Sequence, residues 1–174
     1  MLLIIWAFKM KYFYCDSCFL ISAYQENFLD VLSRYKSQFF ISITQANSEL
    51  LYPKELKDKV VLAVTIIEED REEIIIKTGD LKRNLISLST FDCLSLAYAL
   101  IDGYVLVTDD IALIKVAIKY GVGTIISING EIIDSLGCFH RNGTNSLGEF
   151  YAMLIAIDKV EELKKHIIGI FNLG

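Results

Sequence analysis

The chain has 174 residues, 53% hydrophobic and 11% aromatic, which is enough to close one core and excludes an intrinsically disordered chain. Its formal net charge of −5 excludes a protein that grips nucleic acid by bulk positive charge, although carboxylates neutralised by divalent ions bind phosphate without such an excess. The apolar opening run from Met1 to Phe8 is far shorter than the ~20 residues that span a bilayer, and Lys9 and Lys11 follow it rather than precede it as in a secretory signal, so a cytoplasmic protein with no membrane association is expected.

In chain order, Tyr12 to Cys15 is a short apolar run that reads as a strand buried on both faces, ended by Asp16. Phe19, Leu20, Ala23, Tyr24, Phe28, Val31 and Leu32 then recur at helical spacing up to about Tyr35. Phe39 to Ile43 reads as a second strand, and the helix that follows begins near Thr44, carries Glu49 and is stopped by Pro53. Val60 to Ile67 reads as a third strand. The acidic stretch Glu68 to Glu73 suits the positive end of a helix dipole and is given no catalytic role. Ser89 to Asp92 introduces a helix that runs to about Ile101 and is punctuated by Gly103. Tyr104 to Val107 is a fourth strand, Thr108 to Asp110 caps a helix over Ile111 to Tyr120, and Gly121 to Gly123 turns the chain into a fifth strand, Thr124 to Ile128. A tail helix is expected over Gly148 to Ile168, packed on the domain or on a second subunit.

This βα alternation predicts an α/β fold, a three-layer α/β/α sandwich with a central parallel sheet and a C-terminal helical extension. One domain is expected over residues 1–174, with its core at about 11–134 and the extension at 135–174. Sites in such sheets lie at the carboxyl ends of the strands, where Asp16 and the Thr108 to Asp110 segment fall. Cys15 and Cys18 form an isolated C-x-x-C with no second pair and no histidine at ligand spacing, so reduced, buried cysteines are expected rather than zinc. No G-x-S-x-G elbow, Walker loop or G-x-G-x-x-G fingerprint is present.

Four short signatures appear in order: Asp16 and Ser17 at a strand end before an apolar helix; Ser48, Glu49 and Leu50 on the helix after the second strand; Leu88, Ser89 and Asp92 at a helix start; and Thr108 with Asp110 at another strand end. Together, over roughly Lys11 to Ile128, they resemble the PIN domain family, including its VapC-type toxin ribonucleases. The resemblance implies that Asp16, Glu49, Asp92 and Asp110 form a catalytic, metal-binding set. Asp16, Asp92 and Asp110 would be the principal ligands, with Glu49 binding directly or through water and taking a proton from the nucleophile. Ser17 and Thr108 would be supporting hydroxyls. Asp109 is a further metal candidate, with Asp110 preferred because it stands two positions after Thr108, as in the family's Thr-x-Asp pattern.

Like charges gathered at this density raise one another's pKa unless a cation is present, and Mg²⁺ or Mn²⁺ takes such oxygen ligands while keeping waters. The resemblance therefore implies hydrolysis of RNA to a 5′-phosphate and a 3′-hydroxyl. It also suits the toxin half of a toxin–antitoxin pair, with a cognate antitoxin as partner and a homodimer as the assembly. Each acid has a plainer reading as well: Asp16 as a strand-to-helix cap, Asp92 as a box-like cap with Ser89, Asp109 or Asp110 as an N-cap, and Glu49 as a solvated charge. A chain for which only those readings held would be a non-catalytic PIN-fold module that binds RNA or protein. Lys82 and Arg83 are weak candidates for phosphate contact.

Overall fold

Three consecutive residues with no accessible surface, Phe13, Tyr14 and Cys15, form β1 (Phe13–Cys15), the strand around which the rest is arranged. The computed structural model describes residues 12–25, 27, 29–108, 110–122, 124–128, 131–134 and 140–142. The elements after β1 are α1 (Ser17–Gln25), α2 (Leu29–Ser33), β2 (Phe39–Ser42), α3 (Ile43–Glu49), α4 (Leu56–Ala63), β3 (Thr65–Ile67), α5 (Glu72–Asn84), α6 (Thr90–Asp102), β4 (Val105–Thr108), α7 (Ile111–Lys119), β5 (Thr124–Ile128), β6 (Glu131–Asp134) and β7 (His140–Asn142).

The strands lie in the order β3-β2-β1-β4-β5-β6-β7. The first five run parallel, with Phe13 opposite Phe39 on one side and Val105 on the other, while β6 and β7 return antiparallel at the edge. Successive β1 side chains point to opposite faces. Tyr14 stacks on Tyr98 of α6 with ring centroids 5.0 Å apart, and Phe13 stacks on Phe39 across the ladder at 4.8 Å. On one side α1, α2 and α4 pack together, and on the other α5 and α6, which makes the three layers. This is the expected α/β/α sandwich with a central parallel sheet.

Four expectations are corrected. The run Val60 to Ile67 is not one strand: its first half belongs to α4, and only Thr65 to Ile67 pair as β3. A short apolar run does not by itself distinguish a buried strand from a helix. Here Leu56, Val60 and Ala63 are buried at helical spacing while Val61 and Leu62 are exposed. The helix expected up to Tyr35 is two helices, separated at Asn27, whose φ of 56° is left-handed, a conformation asparagine tolerates better than most residues. The βα alternation expected throughout ends at β5, because β6 and β7 add an antiparallel margin. Part of the expected extension, residues 140–142, is β7 rather than helix; the tail helix at 148–168 lies outside the described residues.

Among the described residues no helix is long and apolar enough to cross a membrane. Among the described residues Cys15, Cys18 and Cys93 form no disulfide, and Cys15 and Cys93 are buried.

Candidate functional site

The backbone N–H of Asp16 donates to the carbonyl of Val107 at 2.9 Å, continuing the β1–β4 ladder one step beyond the strand, so Asp16 and Thr108 meet at the carboxyl edge of the sheet. On the other side of β1, Ser42 ends β2 and caps α3, its hydroxyl accepting the N–H of Thr44 at 3.2 Å. That cap aims α3 along the same edge. Gln45 and Glu49, four positions apart, therefore share a helix face directed at Asp16.

Asp16 is 3% exposed and its carboxylate accepts four hydrogen bonds. Oδ1 receives the N–H of Ser17 and Nε2 of Gln45, each at 2.9 Å; Oδ2 receives the Cys18 thiol at 3.0 Å and the Thr108 hydroxyl at 2.9 Å. Burial pushes this carboxyl up to about 6; the Cys18 and Thr108 hydrogen bonds oppose the rise, and the charges of Asp92 and Glu49 add to it. Desolvation thus outweighs the Cys18 and Thr108 donors.

Glu49 is joined to Asp16 by two bridges. Its Oε1 accepts the Ser17 hydroxyl at 3.0 Å and the same Gln45 Nε2 at 2.9 Å. The Gln45 amide can face only one way, since carboxylates accept and the hydroxyls of Tyr14 (2.7 Å) and Ser95 (3.3 Å) donate to its Oε1. Gln45 is wholly buried. The four signatures do not single it out, although a polar residue four positions before Glu49 on one helix face is the sequence signal that finds it.

Asp110 connects through Thr108, whose Oγ1 accepts the Asp110 N–H at 3.1 Å. Its Oδ1 caps α7 by accepting the Leu113 N–H at 3.0 Å. Asp92 closes a capping box with Ser89, bonds of 2.8 and 3.0 Å running in both directions, and its charge is felt at Asp16. The plainer cap readings therefore hold geometrically for both, yet each leaves one carboxylate oxygen with no protein donor among the described residues. Asp109 lies outside the described residues. Lys82 spends its ammonium on the carbonyls of Leu88 and, at 3.1 Å, Ile86, and Arg83 pairs with Asp80, so both candidate phosphate contacts are already engaged.

A further carboxylate joins the network from the acidic stretch Glu68 to Glu73. Asp70 Oδ1 accepts the Ser42 hydroxyl at 2.7 Å and the Tyr98 hydroxyl, and the Ser42 N–H donates to Tyr14 Oη at 3.2 Å, linking Asp70 to Gln45 through Tyr14.

Among the described residues no three His, Cys, Asp or Glu side chains enclose a metal position. Mg²⁺ or Mn²⁺ does fit the donor set, because such ions bind through one or two carboxylates and retain waters. The Gln45 amide nitrogen, 2.9 Å from one oxygen of Asp16 and one of Glu49, marks where positive charge is already in demand.

No protein-family model matches the chain, and no curated protein does. Among solved structures, the chain is similar to the crystal structure of PAE2754 from Pyrobaculum aerophilum, at 16% identity and a TM-score of 0.45, over 61% of this chain and 84% of that one. A likeness of that size carries no weight for function, and the fold class stands on the element order and sheet themselves.

Proposed function

We propose that the chain is a PIN-like, metal-dependent endoribonuclease. The observation that carries this reading is the buried Asp16 carboxylate, tied to Glu49 by Gln45 and Ser17 and to Asp110 by Thr108, at the carboxyl edge of a parallel sheet. Asp16 and Glu49 would hold Mg²⁺ or Mn²⁺, with Asp92 and Asp110 offering their uncommitted oxygens directly or through water. Such an ion, when bound, supplies charge to a phosphate oxygen and acidity to a water. Thr108 and Ser17 fix the orientation of the two inner carboxylates by donating to them. Glu49 would take the proton of the attacking water, with its bond to Ser17 holding it in orientation.

RNA is the substrate in this reading, and a cytoplasmic location, a cognate antitoxin and a homodimer belong to it as its biological setting. The experiment is cleavage of RNA with Mg²⁺, Mn²⁺ or EDTA by wild type and Asp16→Asn. Metal-dependent cutting that leaves 5′-phosphates, lost in the variant, is expected; cutting retained in Asp16→Asn defeats the assignment.

A second reading has its own observation. Asp92 and Asp110 each commit an oxygen to a helix cap, as they would in a non-catalytic module that kept the fold alone. Absence of cleavage with either metal on any RNA, together with intact folding, favours that module.

A further inference from the structure

Gly79 is the eighth of thirteen residues in α5, and a glycine inside a helix costs ~1 kcal/mol relative to alanine. Its backbone is ordinary helix, and beyond its chain neighbours and the helix's own backbone no atom lies within 4 Å of the position its Cβ would take. Neither conformation nor packing calls for glycine there. Gly79 is one of the residues that line a cavity of about 360 Å³, within the ~300–1,000 Å³ typical of small-molecule sites.

The cavity borders the carboxylate cluster. Ile75 and Gly79 line it from α5, Phe91 and Leu94 from the start of α6, Thr44 from α3, and Asp70 from the loop before α5. Thr44 is next to Gln45 in the chain and Phe91 next to Asp92, and Asp70 is bonded to Ser42, the cap of α3. The walls are almost wholly apolar and carry one aromatic ring. Asp70 is one of the lining residues; its Oδ1 is committed to Ser42 and Tyr98, and its Oδ2 has no donor among the described residues. An apolar slot with a ring on one wall and an acceptor at one end suits a flat heterocycle bearing an amine.

We propose that this cavity receives a nucleobase of the RNA strand that lies along the carboxylate cluster, stacked on Phe91 with its exocyclic amine directed to Asp70. The proposal rests on the ribonuclease reading for its substrate. Stacking on an aromatic ring is sequence-tolerant, whereas the carboxylate favours the bases that carry an exocyclic amine, adenine, cytosine and guanine, over uracil, which offers only its ring N3–H.

Gly79→Leu tests it, because the new side chain fills the cavity from a helix position where its Cβ meets nothing. In EDTA, calorimetric and NMR titrations with adenosine, cytidine and uridine should show wild type preferring the first two, and the variant weakened by about tenfold or more. Equal binding by wild type and variant, or no nucleoside binding by wild type, overturns the proposal whatever RNA cleavage shows. Cleavage without nucleoside binding leaves the ribonuclease reading standing and removes only the base site; nucleoside binding blocked by Gly79→Leu without cleavage under any metal does the reverse. If Gly79→Leu melts below wild type, Phe91→Leu, which keeps the apolar wall and removes the ring, serves in its place, with the same loss expected and unchanged binding overturning the proposal.

Discussion

The Asp16→Asn variant tests the electrostatics of the site apart from any catalysis. In the fold, burial raises the Asp16 carboxyl from 3.8 to about 6, a difference worth ~3 kcal/mol at ~1.4 kcal/mol per pH unit. Because the folded value lies above the unfolded one, the folded state holds a proton that the unfolded state has released between pH ~4 and ~6. The stabilisation is complete below that window, falls as pH rises through it, and is absent above it. Asparagine has no such titration, so the stability of wild type relative to the variant should drop by ~2 kcal/mol from pH ~4 to pH ~7 in EDTA.

The variant should also fold well. Its Oδ1 can keep the Ser17 and Gln45 donors, while its amide faces Cys18 and Thr108, whose thiol and hydroxyl can accept instead of donate. Urea unfolding at four pH values across this range measures the difference, and a constant gap between the two proteins would refute the reasoning. At pH 7, millimolar Mn²⁺ should raise the melting temperature of wild type through binding to the folded state, and should do little for the variant.

Gln45→Glu replaces two N–H donors to carboxylates with a third negative charge; it should cost ~1–3 kcal/mol without metal and tighten Mn²⁺ binding in calorimetry, and unchanged Mn²⁺ affinity would count against an ion between Asp16 and Glu49. Asp110→Asn keeps a good N-cap whereas Asp110→Ala loses ~1 kcal/mol, so single-turnover cleavage at saturating Mn²⁺ that nearly vanishes in both, beside a modest reduction in Asp109→Asn, marks Asp110 as more than a cap. The reverse ranking of the two Asn variants would transfer the role to Asp109. Val60→Ala should cost ~2 kcal/mol by emptying a core position of α4, while Val61→Ala should stay within ~0.5 kcal/mol; equal losses in urea unfolding would contradict the helix.

How much was legible differs along the chain. Phe13 to Cys15 and Val105 to Thr108 could be read as strands because a run too short for a helix was bounded by turn residues, and Ser89 with Asp92 announced its capping box in sequence. Val60 to Ala63 was not legible in that way: a short apolar run that opens with two β-branched residues favours a strand locally, and only the tertiary burial of one face against α2 shows a helix. At the site, Asp16 and Glu49 were found from their place in an ordered set. Gln45 was not, since an uncharged side chain gives no hint of metal chemistry until the fold puts its amide between two carboxylates. Asp70 was hidden for the opposite reason, sitting in a run of acids whose ordinary meaning is a solvated helix start, with nothing local to show that Ser42 and Tyr98 would reach it.

The stacked pair Tyr14 and Tyr98 has an optical consequence. Two phenol rings held 5.0 Å apart at an interplanar angle of 14°, one bonded to Gln45 and the other to Asp70, form a rigid, asymmetric chromophore beside the carboxylates. Its near-ultraviolet circular dichroism depends on fixed packing. Any ligand that displaces the Gln45 amide must rotate the Tyr14 hydroxyl's acceptor away, so occupancy of the site is readable as a change in tyrosine ellipticity in the unlabelled protein.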